Sequence, residues 1–232
     1  MISIHEAIAQ RHSVRAYHER ALEPDVRANL QQLIDDCNAA GGLHIQLVCN
    51  ESQAFDCFWA HYGKFSGVTS YLAMVGPVAA PDLDERLGYY GEKIVLRAQQ
   101  MGLNTCWVGL SYKKVAGAYT IGYGEKLRLL IAIGYGKDPA GRAHKRKRPD
   151  QVMRLPQGMD TPPDWFLKGI DAALLAPTAV NQQQFRFTLH PDGHTVSAKA
   201  GMGFYSHVDL GIVRLHFEIG AGTDRFSWET TT

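Results

Sequence analysis

Two arginines and a serine near the N-terminus have the spacing that points most directly to chemistry. Arg11, Ser13 and Arg15 alternate with His12 and Val14, and alternate side chains of an extended segment lie on one face. Two guanidinium groups and a hydroxyl on one face can grip a phosphate or another planar, electron-rich anion. The alternative is a pair of solvated surface arginines, because such charges are common and weakly held.

A second basic segment runs from Arg142 to Arg148 and includes Lys145 and Lys147. If it folds back beside Arg11, it completes a phosphate site with several charge-assisted hydrogen bonds. The alternatives are a solvated loop and a nucleic-acid patch. However, 24 Lys and Arg against 23 Asp and Glu leave a net charge of +1, so no global field attracts nucleic acid or anionic lipid. The composition favours a local anion site, with neither nucleic acid nor membrane as a partner.

A polar loop at residues 176–184 follows a predicted helix. It contains small residues, a hydroxyl and amides, among them Pro177, Thr178, Ala179 and Asn181. Such a loop can lie flat against an aromatic ring and hydrogen-bond its polar edge. The alternative is an ordinary helix-ending loop in which Pro177 is the breaker.

Several other chemistries lack their sequence patterns. There is no G-x-S-x-G elbow, H-E-x-x-H pair, Walker loop or G-x-G-x-x-G that opens a helix, which disfavours a Rossmann dinucleotide site. The four cysteines show no C-x-x-C spacing, which predicts reduced, structural thiols and no zinc site. No side chain is assigned as a catalytic acid, base or nucleophile.

Two similar sets of elements position these segments. With 232 residues, the chain is one large domain or two small ones. Hydrophobic periodicity predicts helices at 4–11, 24–41, 83–101, 164–174 and 208–219, the fourth capped by Asp164, and strands at 45–49, 71–75, 105–108, 127–133, 185–190, 195–199 and 225–228. The proline-rich stretch 149–163 is interpreted as the connection between two halves. Neither a signal peptide nor a membrane span is predicted, so a cytoplasmic protein is expected.

The segments together resemble the FMN-dependent nitroreductase family. Its first helix and R-x-S-x-R flavin motif are similar to AIAQRHSVRAY, and its strand beside the flavin ring is similar to QQMGLNTCWVGL. Its phosphate-binding tail is similar to HKRKRPDQV, and its A-P-S-A-x-N-x-Q-P-W loop to LLAPTAVNQQQFRF. The resemblance implies an α+β fold of mixed, mostly antiparallel sheets with flanking helices and two pseudo-equivalent halves.

The order of the motifs departs from that of ordinary family members, in which the A-P-S-A loop follows the first helices and the flavin lies at a dimer interface. Here the loop occurs only in the second half. The chain therefore resembles the two-half, single-chain subgroup, in which one polypeptide imitates the dimer around one FMN. Residues 1–150 would hold the flavin phosphate and pyrimidine ring, and residues 151–232 would supply the covering loop. Whole chains remain either monomers that mimic a dimer or homodimers.

The resemblance also implies roles for individual residues. Those that bind FMN would come from the arginine motif, the strand, the tail and the loop: Arg11, His12, Ser13, Arg15, Trp107, Val108, Gly109, Lys145, Lys147, Pro177, Thr178, Ala179 and Asn181. Arg15 would face the pyrimidine edge, where a fixed cation stabilises the reduced flavin, and backbone N–H groups of Val108 and Gly109 would lie beside N5. Neither Arg11 nor Arg15 is expected in the core.

The implied activity is electron transfer from NADH or NADPH, through FMN, to a small acceptor such as a nitroaromatic or a quinone. The alternative is a flavin-binding sensor or store without turnover. A nucleic-acid binder that uses residues 142–148 is the third hypothesis.

Overall fold

A four-stranded antiparallel sheet lies in the first part of the chain. The computed structural model describes residues 1–137 and 145–230. The strands of this sheet are β1 (Gln46–Cys49), β2 (Ser70–Pro77), β3 (Asn104–Val108) and β4 (Glu125–Gly134). Their spatial order is β1-β2-β4-β3, and each neighbouring pair is antiparallel. The apolar runs of β2 and β4 are buried because these two strands lie at the centre of the sheet.

A second, smaller sheet lies in the last part of the chain. It contains β5 (Met153–Arg154), β6 (Phe185–Leu189), β7 (Thr195–Ala200) and β8 (Ser227–Trp228), in that spatial order. β6 and β7 form the predicted antiparallel hairpin, and Asp192 accepts backbone hydrogen bonds from His194 and Thr195 at its turn. At the two edges, β5 pairs in parallel with β6, and β8 pairs in parallel with β7, so the sheet is mixed.

Seven α-helices flank the sheets within the described residues. They are α1 (Ile4–Gln10), α2 (Pro24–Gly41), α3 (Phe58–Tyr62), α4 (Leu83–Gln100), α5 (Pro149–Val152), α6 (Asp164–Ala173) and α7 (Ser206–Ala221). A capping box between Ser3 and Glu6 begins α1. A short 3₁₀ helix, Ala179–Asn181, lies in the loop after α6.

Helices α4 and α7, which lie 123 residues apart at their first residues, pack with close backbone approach. A Cβ atom added at Gly88 of α4 would overlap the carbonyl oxygen of Val208, and one added at Gly211 of α7 would overlap that of Glu85. Glycine at both positions therefore lets the helix backbones approach closely. Apolar residues of both helices belong to one buried core cluster, so elements from the early and late parts of the chain share a core.

An aromatic cluster fills the second half between α6, α7 and the smaller sheet. Phe217 of α7 stacks on Phe187 of β6 with ring centroids 4.5 Å apart, and it meets Phe166 of α6 edge-on at 5.6 Å. All three side chains are fully buried, and burial of each contributes about 1.5–3 kcal/mol. This cluster packs α7 against α6 and the smaller sheet.

The structure confirms the α+β class and every predicted helix and strand, with ends within two residues of those expected. Four elements were not predicted: α3, which is short, the 3₁₀ helix in the loop after α6, and α5 and β5, which lie within the supposed 149–163 connection. Pro149 occupies the first turn of α5, where its fixed φ suits a helix. The prediction that Asp164 caps α6 was wrong, because Pro163 is the N-cap and Asp164 is the first helical residue. The division of the chain near residue 150 stays a prediction.

Candidate functional site

A cavity of about 1190 Å³ lies where the start of the chain meets the segment that follows α6. Two of the segments singled out by sequence contribute to its wall: Arg11, His12, Ser13 and Arg15 from the first, and Pro177, Thr178 and Asn181 from the second. The arginine motif reaches the wall because α1 ends at Gln10 and the backbone is extended beyond it. Ser13 then pairs in parallel with Thr105 of β3.

The side chain of Arg11 is buried in this wall. It is only 7% exposed, and its Nε lies 3.9 Å from Oε1 of Glu92 on α4. Its Nε and Nη1 have no hydrogen-bond partner among the described residues. Burial lowers the pKa of Arg11, and the nearby Glu92 carboxylate opposes that shift. The expectation that Arg11 lies outside the core was therefore wrong, because the end of α1 packs its side chain against α4. Arg15 is exposed, as expected.

Glu92 is the centre of a buried hydrogen-bond network. Its Oε1 lies 2.9 Å from Nε2 of His216 on α7, and its Oε2 accepts a 2.8 Å bond from Nε1 of Trp107. Nδ1 of His216 lies 3.1 Å from the carbonyl oxygen of Ala172. A carbonyl can only accept, so Nδ1 donates to it, and a proton must also lie between Nε2 and Oε1. This network joins α4 to α7 directly beside Arg11.

The loop after α6, here called the cover loop (residues 176–184), has a strained backbone. Val180, Asn181 and Gln183 have φ values of 45°, 55° and 47°, a left-handed region that residues other than glycine adopt infrequently. One wall of the large cavity is made by part of this loop. Strain of this kind persists only where the surroundings hold the backbone in place.

Asp209 on α7 holds the cover loop from behind. The backbone N–H of Ala179 donates to both carboxylate oxygens at 3.0 and 3.1 Å, and Nε2 of Gln182 donates to Oδ2 at 2.8 Å. Asp209 is buried. Burial raises its pKa to about 6, although the bonds from Gln182 and Ala179 act in the opposite direction. Ala179 itself does not line the cavity, because its N–H points to this carboxylate.

The basic tail contacts the cover loop along its backbone. Asn181 donates to the carbonyl of Lys145 at 2.9 Å, and the Nζ of Lys147 donates to the carbonyl of Gln183 at 2.8 Å. Lys145 and Lys147 do not line the large cavity, whereas Arg146 between them does. Residues 142–144 lie outside the described residues.

A smaller cavity of about 420 Å³ adjoins the first, and Arg15 lines both. The predicted strand segment reaches this second cavity through Trp107, Val108 and Gly109. A Cβ at Gly109 would overlap the ring of Tyr205, whose hydroxyl donates to the Gly109 carbonyl at 2.9 Å. The second half thus contacts this strand directly.

Sequence reasoning missed Glu92, His216 and Asp209, and it placed Arg146 in the basic segment without assigning it as a flavin contact. For Glu92 a signal was present: it lies on the apolar stripe of α4, with Val95 and Leu96 one turn away and buried. His216 likewise lies among buried apolar residues of α7. An ionisable residue in an apolar stripe needs a buried partner, but the sequence does not show which one.

No helix in residues 1–137 and 145–230 is long and apolar enough to cross a membrane. No group of three or more His, Cys, Asp and Glu side chains in the same residues could hold a metal ion.

Comparison with known proteins gives the family. The family model described as "Putative TM nitroreductase" matches residues 3–221. The chain belongs to this nitroreductase family. No curated protein matches the chain. Among solved structures, a "putative nitroreductase" from Thermotoga maritima is similar over 100% of this chain and 90% of its own, with 21% identity and a TM-score of 0.68.

Two shorter nitroreductase structures match part of the chain. One from Desulfovibrio desulfuricans, described as in complex with FMN, has 14% identity and a TM-score of 0.52 and covers 66% of this chain and 96% of its own. The NfrA1 nitroreductase of Bacillus subtilis has 11% identity and a TM-score of 0.52, and the match covers 64% of this chain and 72% of its own. These likenesses establish a shared nitroreductase fold.

Proposed function

We propose that this nitroreductase family member binds one FMN and passes electrons from NADH or NADPH to a small acceptor such as a nitroaromatic or a quinone. The observation that carries the proposal is the state of Arg11: a buried cation with unpartnered N–H donors in the wall of a large cavity. Buried donors without partners are costly, so such a group suits a bound anion. The FMN phosphate is an anion of this kind, and the family is one of flavin enzymes.

The residues of the large cavity fit a phosphate-bearing flavin. Arg11, Ser13 and Arg146 supply two cations and a hydroxyl for the phosphate, and Arg15 is available for the pyrimidine edge. His12, Lys145 and Lys147 stay predicted contacts of the phosphate end of FMN. Thr178 and Asn181 bring a hydroxyl and an amide from the cover loop, and Val108 and Gly109 lie on the other side of Arg15.

FMN, when bound, supplies the hydride and electron chemistry, and the protein supplies position and electrostatics. Arg15 would place a fixed positive charge where reduction leaves negative charge on the ring. The cover loop, with Pro177 and Ala179, would exclude water from one face. No side chain is assigned a proton-transfer role.

The single-chain arrangement has support in the fold. The match with the shorter Desulfovibrio desulfuricans structure covers 96% of that chain but only 66% of this one. The unmatched remainder of this chain is about as long as the proposed second half. The α4 and α7 helices of the two halves pack against each other. We therefore assign one FMN to each chain, at the junction of the halves, whether chains are monomers or homodimers.

Anaerobic mixing with electron donor tests turnover. The holoprotein is mixed with NADH or NADPH in a stopped-flow instrument, and flavin absorption is followed. Bleaching, followed by recovery on addition of a quinone, is the expected result. An oxidised flavin that does not bleach at millimolar donor would contradict turnover and leave a flavin-binding protein.

A further inference from the structure

The smaller cavity is lined mainly by aromatic, cationic and small residues. Its nine lining residues are Arg15, Tyr62, Gly63, Lys64, Phe65, Trp107, Val108, Gly109 and Ser111. Three of these are aromatic, two are cationic and none is acidic. Aromatic walls suit a flat ring, and two cations without an acid favour an anion. Arg15, Trp107, Val108 and Gly109 on one side of this cavity are also proposed flavin contacts, so a molecule bound on the other side, against Tyr62, Lys64 and Phe65, lies next to the proposed flavin ring.

Lys64 occupies a backbone position at which lysine is unfavourable. It follows α3, whose last turn closes with two bonds: Lys64 N–H to the His61 carbonyl at 2.9 Å and Phe65 N–H to the Ala60 carbonyl at 2.9 Å. These are the two bonds of a Schellman motif, and its left-handed residue is usually glycine. Lys64 is that residue, with φ of 64°.

The side chain of Lys64 is available for a ligand. It is exposed, and among the ion pairs of residues 1–137 and 145–230 none involves it. Arg15, the other cation, also faces the large cavity and is assigned there to the flavin. Lys64 is therefore the cation of the smaller cavity that the flavin would leave unused.

We propose that the smaller cavity binds the electron acceptor and selects planar aromatic compounds that carry an anionic group, which Lys64 recognises. This inference rests on the proposed function, because it places the acceptor beside the flavin. The rings of Tyr62 and Phe65 provide the apolar wall, and Lys64 provides the charge. A carboxylated ring is then preferred over a neutral ring of the same shape.

Equilibrium binding to the FMN-loaded protein tests the preference without turnover. Benzoate and benzamide have nearly the same shape, but only benzoate is charged. Their Kd values are measured from the perturbation of flavin absorption. We expect benzoate to bind about fivefold more tightly than benzamide, as for a partly exposed ion pair, and added salt should reduce the difference. Equal Kd values in the wild-type protein would overturn the proposal.

Variants at Lys64 test whether this lysine causes the preference for benzoate over benzamide. Lys64→Gln keeps a long polar side chain without charge and should abolish the preference for benzoate, whereas Lys64→Arg should retain it. Lys64→Gly also removes the charge and relieves the left-handed backbone, so its loss of preference cannot come from misfolding. Lys114→Ala, an exposed lysine that does not line the cavity, is the control and should bind benzoate like wild type. A preference that survives Lys64→Gln overturns the proposal.

Three outcomes separate the failure of this inference from the failure of the proposed function. If Lys64→Gln slows reduction by NADH or NADPH but leaves benzoate binding unchanged, the lysine contacts the donor's phosphates and the acceptor proposal is wrong. If the wild-type protein binds no FMN, the proposed function fails and this inference fails with it. If FMN binds and bleaches normally but benzoate and benzamide bind alike, only this inference fails.

Discussion

Glu92 and His216 form a 2.9 Å hydrogen bond between two fully buried side chains, one on each of the helices that join the halves. The same carboxylate accepts from Trp107, beside the smaller cavity, and faces Arg11, in the wall of the larger one. One buried group therefore contacts the second half and both parts of the proposed site. This arrangement makes the geometry of the site depend on how α4 and α7 pack.

Substitution of Glu92 should affect stability strongly. Glu92→Leu leaves Trp107, His216 and Arg11 without their partner, and loss of one member of a buried pair costs about 3–5 kcal/mol. Glu92→Gln can still accept from Trp107 and donate to His216, so its loss should be smaller. Urea unfolding of the flavin-free protein measures both. Glu23→Gln, which removes an exposed pair with Arg20, is the control, and a Glu92→Leu protein no less stable than this control would contradict the network.

Substitutions of Arg11 and Arg15 should have different effects on the free energy of unfolding but similar effects on FMN affinity. Burial outweighs Glu92 in its effect on the Arg11 pKa, so the charge is unfavourable in the flavin-free fold. Arg11→Met keeps the aliphatic stem and should raise the free energy of unfolding by about 1 kcal/mol. Arg15→Met, at an exposed position, should leave it unchanged. Both should weaken FMN binding about tenfold or more, the loss expected for a charge-assisted hydrogen bond.

Unfolding and FMN titration of the same two preparations check this prediction. An Arg11→Met protein that is several kcal/mol less stable would show that Arg11 supports the fold in the absence of a ligand. Unchanged FMN affinity in both variants would remove the arginine motif from the site.

Asp209 should make stability depend on pH between about 4 and 6. Its pKa in the folded protein is about 6, above the ordinary value of 3.8. The folded state therefore binds a proton more tightly than the unfolded state, and this contribution is present below pH 4 and is lost as the pH rises through 6. A shift of this size corresponds to about 3 kcal/mol.

The pH dependence is isolated by comparison with Asp209→Asn, which cannot ionise. The difference in unfolding free energy, wild type minus variant, should fall by about 2 kcal/mol from pH 4 to pH 7, because the unfolded carboxyl is already more than half ionised at pH 4. A difference that is constant over this range would show that the folded-state pKa is ordinary.

The cover loop should become more stable when its strain is relieved. Val180 is β-branched, 92% exposed and left-handed, with φ of 45°. Asparagine tolerates this conformation much better, so Val180→Asn should raise the unfolding free energy by about 1 kcal/mol. Val78→Asn, at an exposed valine whose φ is not positive, should give no gain. Equal effects of the two substitutions in thermal unfolding would argue against strain at Val180.

Periodic patterns predicted the larger elements because amphipathic stripes and buried runs are local properties. α1, α4 and the β6–β7 hairpin follow directly from a capping box, an apolar stripe and a turn. The Arg11 motif and the cover loop were also identified locally, and the fold brings both to one cavity.

Long-range pairings could not be read from the sequence in the same way. Glu92 and His216 are 124 positions apart, and only the close approach of α4 and α7, permitted by Gly88 and Gly211, places them together. The burial of Arg11 depends on the packing of α1 against α4. Arg146, rather than Lys145 or Lys147, lines the cavity because backbone contacts with the cover loop fix the direction of the tail.

Titration of the flavin-free protein with FMN, followed by quenching of flavin fluorescence, tests the central claim most directly. The account predicts saturation at one FMN per 25.7 kDa chain, with a bound chromophore that remains on gel filtration. A preparation that stays colourless and leaves the fluorescence of excess FMN unquenched, or one that saturates at two FMN per chain, would contradict it.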